Sequence, residues 1–280
     1  MKNKPLYIFI DMDDTLIDTK GVYDVARRAV YELLGSNYKD IRKDFESFRA
    51  QSIKKNNEYR AQKIDATIRT PQSILDAAKE AVDNMSYDIE REILRLGERV
   101  FTTIPQPIRN AEKSLKTFKA MLKKHDLEQD VKLVVLTQGE EPWQLEKFNA
   151  LPQGLKDVFD DVIVVSDKKK ATYERVLKER NIDPANAIMI GDKEGSDVLP
   201  ALDAGMSTFH IPVYGALDFK GLFKSDPKEY GDRYNRKSKM SQALRTIASD
   251  RLGLKMRNSH QRLGYSDRRS FPKKRLLRFY

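Results

Sequence analysis

The stretch "LYIFIDMDDTLID" (residues 6–18) decides the fold. Apolar and aromatic residues lead directly into Asp11, and further aspartates follow it within seven positions. The apolar run predicts a buried β-strand. A strand of this kind that ends in several carboxylates requires an explanation, because buried like charges repel one another.

Four further short apolar segments are predicted strands, at residues 131–137, 161–166, 187–192 and 207–212. Helical patterns separate them, for example "AEKSLKTFKAMLKK" (111–124), whose apolar residues fall on one stripe. Strands that alternate with helices imply right-handed crossovers and a parallel sheet with helices on both faces. The predicted fold class is therefore α/β, with a core of about five parallel strands.

Residues 18–108 interrupt this alternation. They contain helical stretches but no strand-like run, and they end at the proline-containing "TIPQP" (103–107). We therefore predict a helical cap domain at 18–108, inserted into a catalytic core made of residues 1–17 and 109–215. From residue 216 the periodicity weakens, which predicts a basic C-terminal extension at 216–280.

Composition and charge narrow the classes of function. The absence of cysteine excludes disulfides, thiolate nucleophiles and cysteine-ligated metals, and no apolar run is long enough to span a membrane, so a cytoplasmic protein is expected. The net charge is +10, and residues 251–280 hold ten Lys or Arg and one Asp, so they carry +9 of it. This basic tail is interpreted as a solvated disordered segment, as a nucleic-acid-binding segment, or as a docking segment for acidic surfaces.

Carboxylates follow two of the predicted strands. Asp11 and Asp13 follow the first, and Asp192 ends the fourth, with Asp197 five residues later. Ligands of open α/β sheets bind beyond the carboxyl ends of the strands, so these side chains are expected in one crevice. Hard divalent cations with oxygen ligands neutralise such a cluster, and Mg²⁺ is the predicted cofactor.

Anion-binding groups are predicted at the same edge. Thr137 offers a hydroxyl, Gln138 and Gly139 follow it with accessible backbone N–H groups, and Lys168 after the third strand is a cation. A phosphoryl group would fit between these donors and the metal. A carboxylate can then attack phosphorus, while a second carboxylate two residues away transfers protons.

The chain resembles the haloacid dehalogenase-like hydrolase superfamily over residues 1–213. The motifs that carry the resemblance are "DMDDT" (11–15), "LTQG" (136–139), Lys168 with "KKATY" (169–173), and "GDKEGSD" (191–197). The resemblance implies a Rossmann-like core, a helical cap after the first strand, and a small phosphorylated substrate.

The same resemblance implies the role of each motif residue. Asp11 is the implied nucleophile and Asp13 the general acid/base, while Thr137 and Lys168 hold the phosphoryl group. Mg²⁺ is implied to bind Asp11, the backbone carbonyl of Asp13 and Asp192, with Asp197 in support. An aspartate at position 13 favours phosphate chemistry, since members that dehalogenate lack it. The predicted function is a phosphatase that acts on a phosphate monoester.

Several alternatives stay open at this point. Asp192 and Asp197 could instead cap or complement a helix N-terminus. Of the adjacent Lys168, Lys169 and Lys170, the spacing to Tyr173 favours Lys168 as the phosphate contact. A phosphomutase or phosphotransferase uses the same chemistry, a phosphatase of nucleotides or nucleic-acid ends would use the tail, and a non-catalytic nucleic-acid tether would use the tail alone.

Substrate contacts from the cap cannot be ranked from one sequence. Tyr23, Arg27 and Arg60 are the candidates in the predicted cap.

Overall fold

The predicted apolar runs form one sheet. The computed structural model describes residues 4–108, 110–212 and 231–254. The strands are β1 Leu6–Ile10, β2 Val131–Gln138, β3 Asp161–Val165, β4 Ala187–Gly191, β5 Ser207–His210 and β6 Tyr234–Arg236. All neighbouring pairs are parallel, in the order β3-β2-β1-β4-β5-β6.

The first strand lies at the centre of the sheet. Ile10 is opposite Val135 of β2 on one side and Ile190 of β4 on the other. The five predicted strands and the parallel α/β class are confirmed. The sixth strand, Tyr234–Arg236, was not predicted, because it is a short edge strand of polar and aromatic residues without an apolar run.

Ten α-helices are found among the described residues. Their bounds are α1 Thr19–Asn37, α2 Phe45–Ala61, α3 Ala66–Ala81, α4 Tyr87–Glu98, α5 Ala111–Lys124, α6 Glu141–Asn149, α7 Gln153–Lys156, α8 Lys170–Glu179, α9 Leu199–Asp203 and α10 Met240–Leu252. The buried stripe of α8, Tyr173, Val176 and Leu177, packs with Phe9 and Met189 of the sheet in one apolar cluster.

Residues between β1 and β2 form a helical insertion with a core of its own. Val30 of α1, Phe48 of α2, Ile74 of α3 and Ile93 of α4 are all fully buried and belong to one cluster. This helical insertion, α1 to α4, occupies the place where the sequence predicts the cap. Its boundaries as an independent domain remain a prediction.

Two connecting segments join the helical insertion to the sheet, and they pair with each other. Ile17 and Pro107 form an antiparallel bridge. The backbone N–H of Asp18 donates to the carbonyl of Gln106 at 2.8 Å, and that of Ile108 donates to Leu16 at 2.8 Å. The chain therefore leaves and re-enters the core at a single paired crossing.

One charged group inside the helical insertion is fully satisfied. Asp24 accepts hydrogen bonds from Arg27 at 3.0 Å and from Arg49 at 2.8 and 3.0 Å, while Arg27 Nε also donates to Ser52 at 3.2 Å. We call Asp24, Arg27 and Arg49 the insertion triad. Arg27 was one of the candidates for substrate contact in the predicted cap. In the structure its hydrogen bonds give it a structural role instead.

The C-terminal part of the chain is described only to residue 254. The chain divides into two compact units, Met1–Leu244 and Arg245–Tyr280, and the sheet and the helical insertion belong to the first. The basic stretch 255–280 lies outside the described residues, so the interpretations of the tail stay predictions. Of the helices described, none has the length and hydropathy to cross a membrane.

Candidate active site

The adjacency of β1 and β4 brings two distant aspartates together. Asp11 follows β1 and donates its backbone N–H to the carbonyl of Ile190 in β4 at 2.9 Å. Asp192 follows β4 by one residue. Carboxylate oxygens of Asp11, Asp192 and Asp197 all lie within 4.8 Å of one another. The convergence predicted for the acidic motifs is therefore present.

Lys168 lies against these carboxylates. Its Nζ donates to Asp11 Oδ1 and, at 2.7 Å, to Asp197 Oδ1, and all three side chains are buried. By contrast, Lys169 is 80% exposed and pairs with Asp167. Among the three adjacent lysines, Lys168 is the one at the site. We call Asp11, Lys168, Asp192 and Asp197 the sheet-edge cluster.

Backbone close to the sheet fixes the position of Asp197. Its Oδ2 accepts the backbone N–H of Lys193 at 2.9 Å, while Oδ1 accepts from Lys168. A side chain at Gly191 would place its Cβ 2.4 Å from the Cβ of Asp197, so only glycine allows this approach. The carboxylate of Asp197 is thus fixed by Lys168 and by the backbone of Lys193, which both lie at the site.

The electrostatics of the sheet-edge cluster favour a bound cation. Burial raises the pKa of Asp11 to about 7, against the opposing charge of Lys168, and burial raises the pKa of Asp192 to about 8. Oδ1 of Asp192 is buried without a hydrogen-bond partner. An orphaned carboxylate oxygen beside two further carboxylates is a donor set that Mg²⁺ fits.

The carboxylate of Asp13 faces a different set of groups. It accepts from Lys147 Nζ at 2.5 Å, from the hydroxyl of Thr19, and from Gln144 Nε2 at 3.2 Å. Burial by itself would raise the pKa of Asp13, but the ammonium of Lys147 and these hydrogen bonds hold it below its ordinary value. Its side chain is not part of the sheet-edge cluster.

Three of the predicted phosphate-binding residues, Thr137, Gln138 and Gly139, lie next to Gln144. The hydroxyl of buried Thr137 donates to Gln144 Oε1 at 3.0 Å. Gly139 has a φ of 156°, and a Cβ there would come within 2.5 Å of Gln144 Nε2, so glycine is required. The side chain of Gln138 turns aside and donates to the carbonyl of Ser166 at 3.2 Å.

Gln144 and Lys147 are site residues that the sequence reasoning missed. Both lie on α6 and are almost completely buried, and the ring of Trp143 lies 5.8 Å from Lys147 Nζ. Their spacing of three residues places them on one face of a helix that starts directly after the predicted phosphate-binding loop. This spacing on a helix next to the loop is the sequence signal that could have identified both residues.

A family comparison agrees with this geometry. The family model of haloacid dehalogenase-like hydrolases matches residues 7–205, which is well over half of the chain. The chain belongs to the haloacid dehalogenase-like hydrolase family. The resemblance predicted from the motifs is thereby confirmed, and an enzyme rather than a non-catalytic scaffold is what membership of a hydrolase family indicates.

Individual relatives are distant. The chain is 26% identical over 235 residues to a glyceraldehyde 3-phosphate phosphatase of Pyrococcus furiosus, covering 80% of this chain and 86% of the relative. It is 24% identical to the N-acylneuraminate-9-phosphatase of Rattus norvegicus, over 71% and 79% of the two chains. A solved haloacid dehalogenase-like hydrolase from Xanthomonas campestris superposes with a TM-score of 0.62 at 21% identity, covering 88% and 99%.

Proposed function

We propose that this protein is a Mg²⁺-dependent phosphatase that hydrolyses a small phosphate monoester through an aspartyl-phosphate on Asp11. The observation that carries the proposal is the sheet-edge cluster, in which three carboxylates meet within 4.8 Å beside one buried lysine. Two relatives with phosphatase names support the reaction class. The cytoplasmic location stays a prediction.

Asp11, Asp192 and Asp197, with the backbone carbonyl of Asp13, are the residues proposed to hold Mg²⁺. When bound, the ion would supply positive charge against the substrate phosphate and against the carboxylates. Lys168 contributes the fixed positive charge of the chain itself. Thr137 and the backbone N–H groups near Gly139 would contact the remaining phosphoryl oxygens.

In the first step, a carboxylate oxygen of Asp11 attacks phosphorus and the bond to the leaving oxygen breaks. The leaving oxygen takes a proton from Asp13. Asp13 is held ionised by Lys147 in the free protein, so it must first gain a proton. The negative charge of an arriving phosphate raises the pKa of Asp13 and favours that protonation.

In the second step, water attacks the phosphorus of the aspartyl-phosphate, and the bond to Asp11 breaks. Asp13, now ionised, accepts the proton of this water, and inorganic phosphate is released. Gln144 holds Asp13 and Thr137 with its two side-chain ends, so it fixes the proton-transfer group relative to the phosphate-binding hydroxyl.

Turnover of a panel of phosphorylated metabolites, measured as released phosphate, tests the proposal. We expect hydrolysis with Mg²⁺, none with EDTA, and a loss of about 10³-fold or more in Asp11→Asn, because the amide is no nucleophile. Asp130→Asn, an exposed carboxylate before β2, is the matched control and should retain full activity. Comparable turnover by Asp11→Asn would mean that Asp11 is not the nucleophile.

Transfer of the phosphoryl group to a second substrate molecule is the remaining outcome. Product analysis separates the two reactions, because a phosphomutase gives an isomeric phosphate ester and little inorganic phosphate.

A further inference from the structure

Two lysines are buried among the residues that the structure describes, and both lie at the candidate active site. Lys168 donates to the carboxylates of Asp11 and Asp197. Lys147 donates to the carboxylate of Asp13 at 2.5 Å. Burying an ammonium is costly, so a second buried lysine beside a reacting carboxylate requires an explanation.

The orientation of Asp13 does not depend on Lys147. The hydroxyl of Thr19 donates to Oδ1 of Asp13, and Gln144 Nε2 donates to Oδ2 at 3.2 Å. Each oxygen of the carboxylate thus has a neutral donor, and two such donors already fix its plane. Lys147 adds a positive charge and further donors to this arrangement.

The ammonium of Lys147 has donors that the chain does not use. An ammonium offers three N–H donors. Asp13 is the one hydrogen-bond acceptor of Lys147 in the part of the chain that the structure describes, and the ring of Trp143 lies 5.8 Å from Nζ. The side chain of Lys147 is 3% exposed, so solvent has little access to it. The unused N–H groups are therefore available to a ligand at Asp13.

A substrate can reach this position along the carboxylate of Asp13, whose side chain keeps 18% exposure. In the proposed mechanism Asp13 gives a proton to the leaving oxygen, which requires the two oxygens to lie about 2.7 Å apart. Nζ of Lys147 is 2.5 Å from Oδ1 of the same carboxylate. The leaving oxygen and the ammonium are then neighbours around one carboxylate.

We infer that Lys147 is a further catalytic residue, which donates a hydrogen bond to the leaving oxygen of the substrate. This inference rests on the proposed phosphatase function and deepens it. As the bond from phosphorus to the leaving oxygen breaks, its electron pair stays on that oxygen. The oxygen takes its proton from Asp13, and Lys147 keeps all of its own protons. A fixed cation at the place where this negative charge develops stabilises the transition state.

The Asp13→Asn background isolates the effect of Lys147, because a change of Lys147 cannot then act through the proton of residue 13. The probe is p-nitrophenyl phosphate, whose leaving group departs without a proton and is released in a burst as Asp11 is phosphorylated. We expect Lys147→Met to lower the second-order rate constant of this burst by about 10- to 100-fold in the Asp13→Asn background.

Lys113→Met, which alters an exposed lysine of α5, is the control in the same background and should leave the burst unchanged. Equal burst rate constants for Asp13→Asn and for the double variant with Lys147→Met would overturn the inference, because Lys147 would then act through Asp13 alone.

A matched pair of ligands distinguishes a lost contact from a damaged fold. Inorganic phosphate has a fourth oxygen that takes the place of the leaving oxygen, and methylphosphonate has a methyl group there. Calorimetry with Mg²⁺ measures both affinities on Asp13→Asn with and without Lys147→Met. We expect Lys147→Met to weaken the binding of phosphate about tenfold more than that of methylphosphonate. Equal losses for the two ligands would overturn the inference.

The failure of this inference and the failure of the proposed function give different results. A wild type that hydrolyses no ester overturns both. A wild type that hydrolyses esters, together with equal burst rate constants in the two Asp13→Asn proteins, overturns the role of Lys147 and leaves the phosphatase proposal intact.

Discussion

The sheet-edge cluster and the insertion triad both combine carboxylates with buried cations, yet their charge balance differs. In the insertion triad, two arginines satisfy the single carboxylate of Asp24. In the sheet-edge cluster, Lys168 binds two of the three carboxylates, those of Asp11 and Asp197, and Oδ1 of Asp192 has no hydrogen-bond partner. The candidate ligand site is thus the cluster that leaves a carboxylate oxygen without a partner, whereas the cluster whose carboxylate is fully hydrogen-bonded stabilises the fold.

Removing the positive charge of Lys168 from the sheet-edge cluster should have the largest effect on the free energy of unfolding. In Lys168→Met, without Mg²⁺ at pH 7, we expect unfolding free energy to fall by about 3–5 kcal/mol, because buried carboxylates lose their partner. Denaturant titration measures it. Lys169→Met, which alters an exposed neighbour, is the control, and equal stability of the two variants would contradict the assignment of Lys168.

Binding of Mg²⁺ to the sheet-edge cluster should have the next largest effect on the free energy of unfolding. Mg²⁺ at 100 times its Kd should stabilise the wild type by about 2.7 kcal/mol, and Asp192→Asn should lose most of this gain. Because burial raises the pKa of Asp192 to about 8, protons compete with the metal. The gain should therefore be larger at pH 8 than at pH 6, which thermal unfolding with and without Mg²⁺ measures.

If the stabilisation by Mg²⁺ did not depend on pH, or were equal in wild type and Asp192→Asn, the metal would bind at a site other than Asp192. Metal-free wild type provides the baseline. Its folded state keeps a proton on Asp192 above the ordinary pKa of 3.8, so its stability should fall as the pH rises from about 4 toward 8.

Breaking the insertion triad should affect stability alone. In Asp24→Asn we expect a loss of about 1–2 kcal/mol in unfolding free energy, since the charge-assisted bonds to Arg27 and Arg49 weaken in a partly exposed site. Turnover should stay within about twofold of wild type. Asp40→Asn, an exposed aspartate before α2, is the control. A large loss of activity in Asp24→Asn would remove the distinction between the two clusters.

The smallest expected effect is the pH dependence of the stability that Asp24 contributes in the insertion triad. Burial would raise the pKa of Asp24, but the hydrogen bonds and charges of Arg49 and Arg27 outweigh it and lower the pKa below 3.8. The contribution of Asp24 to stability is therefore complete above that value and is lost as the pH falls through the lower, folded pKa. The stability difference between wild type and Asp24→Asn should shrink between pH 6 and pH 3, and a constant difference would contradict this account.

The sequence allowed much of the sheet and its edge to be predicted. The five predicted strands are buried apolar runs, and in a parallel sheet their carboxyl ends lie at one edge, which predicts that Asp11 and Asp192 share a crevice. The order of the strands, which makes β1 and β4 neighbours, comes from the structure. β6 was missed because an edge strand needs no apolar run. Its pairing with β5 depends on tertiary contacts that local patterns do not encode.

Side chains that reach the site from helices were harder to predict. Lys147 has the pattern of a solvated helix residue, yet Asp13 and Trp143 bury it. Tertiary packing determines which side chains of a helix become buried, and periodicity alone does not specify that arrangement.

The paired crossing at residues 16–18 and 106–108 has a consequence for folding. β1 and β2 are neighbours in the sheet but are far apart in the chain, and the entropic cost of closing a loop rises with its length. Once the helical insertion has formed, its two ends are joined by hydrogen bonds. An insertion that folds early thus shortens the loop that remains to be closed, and the central strands can pair with a lower effective contact order.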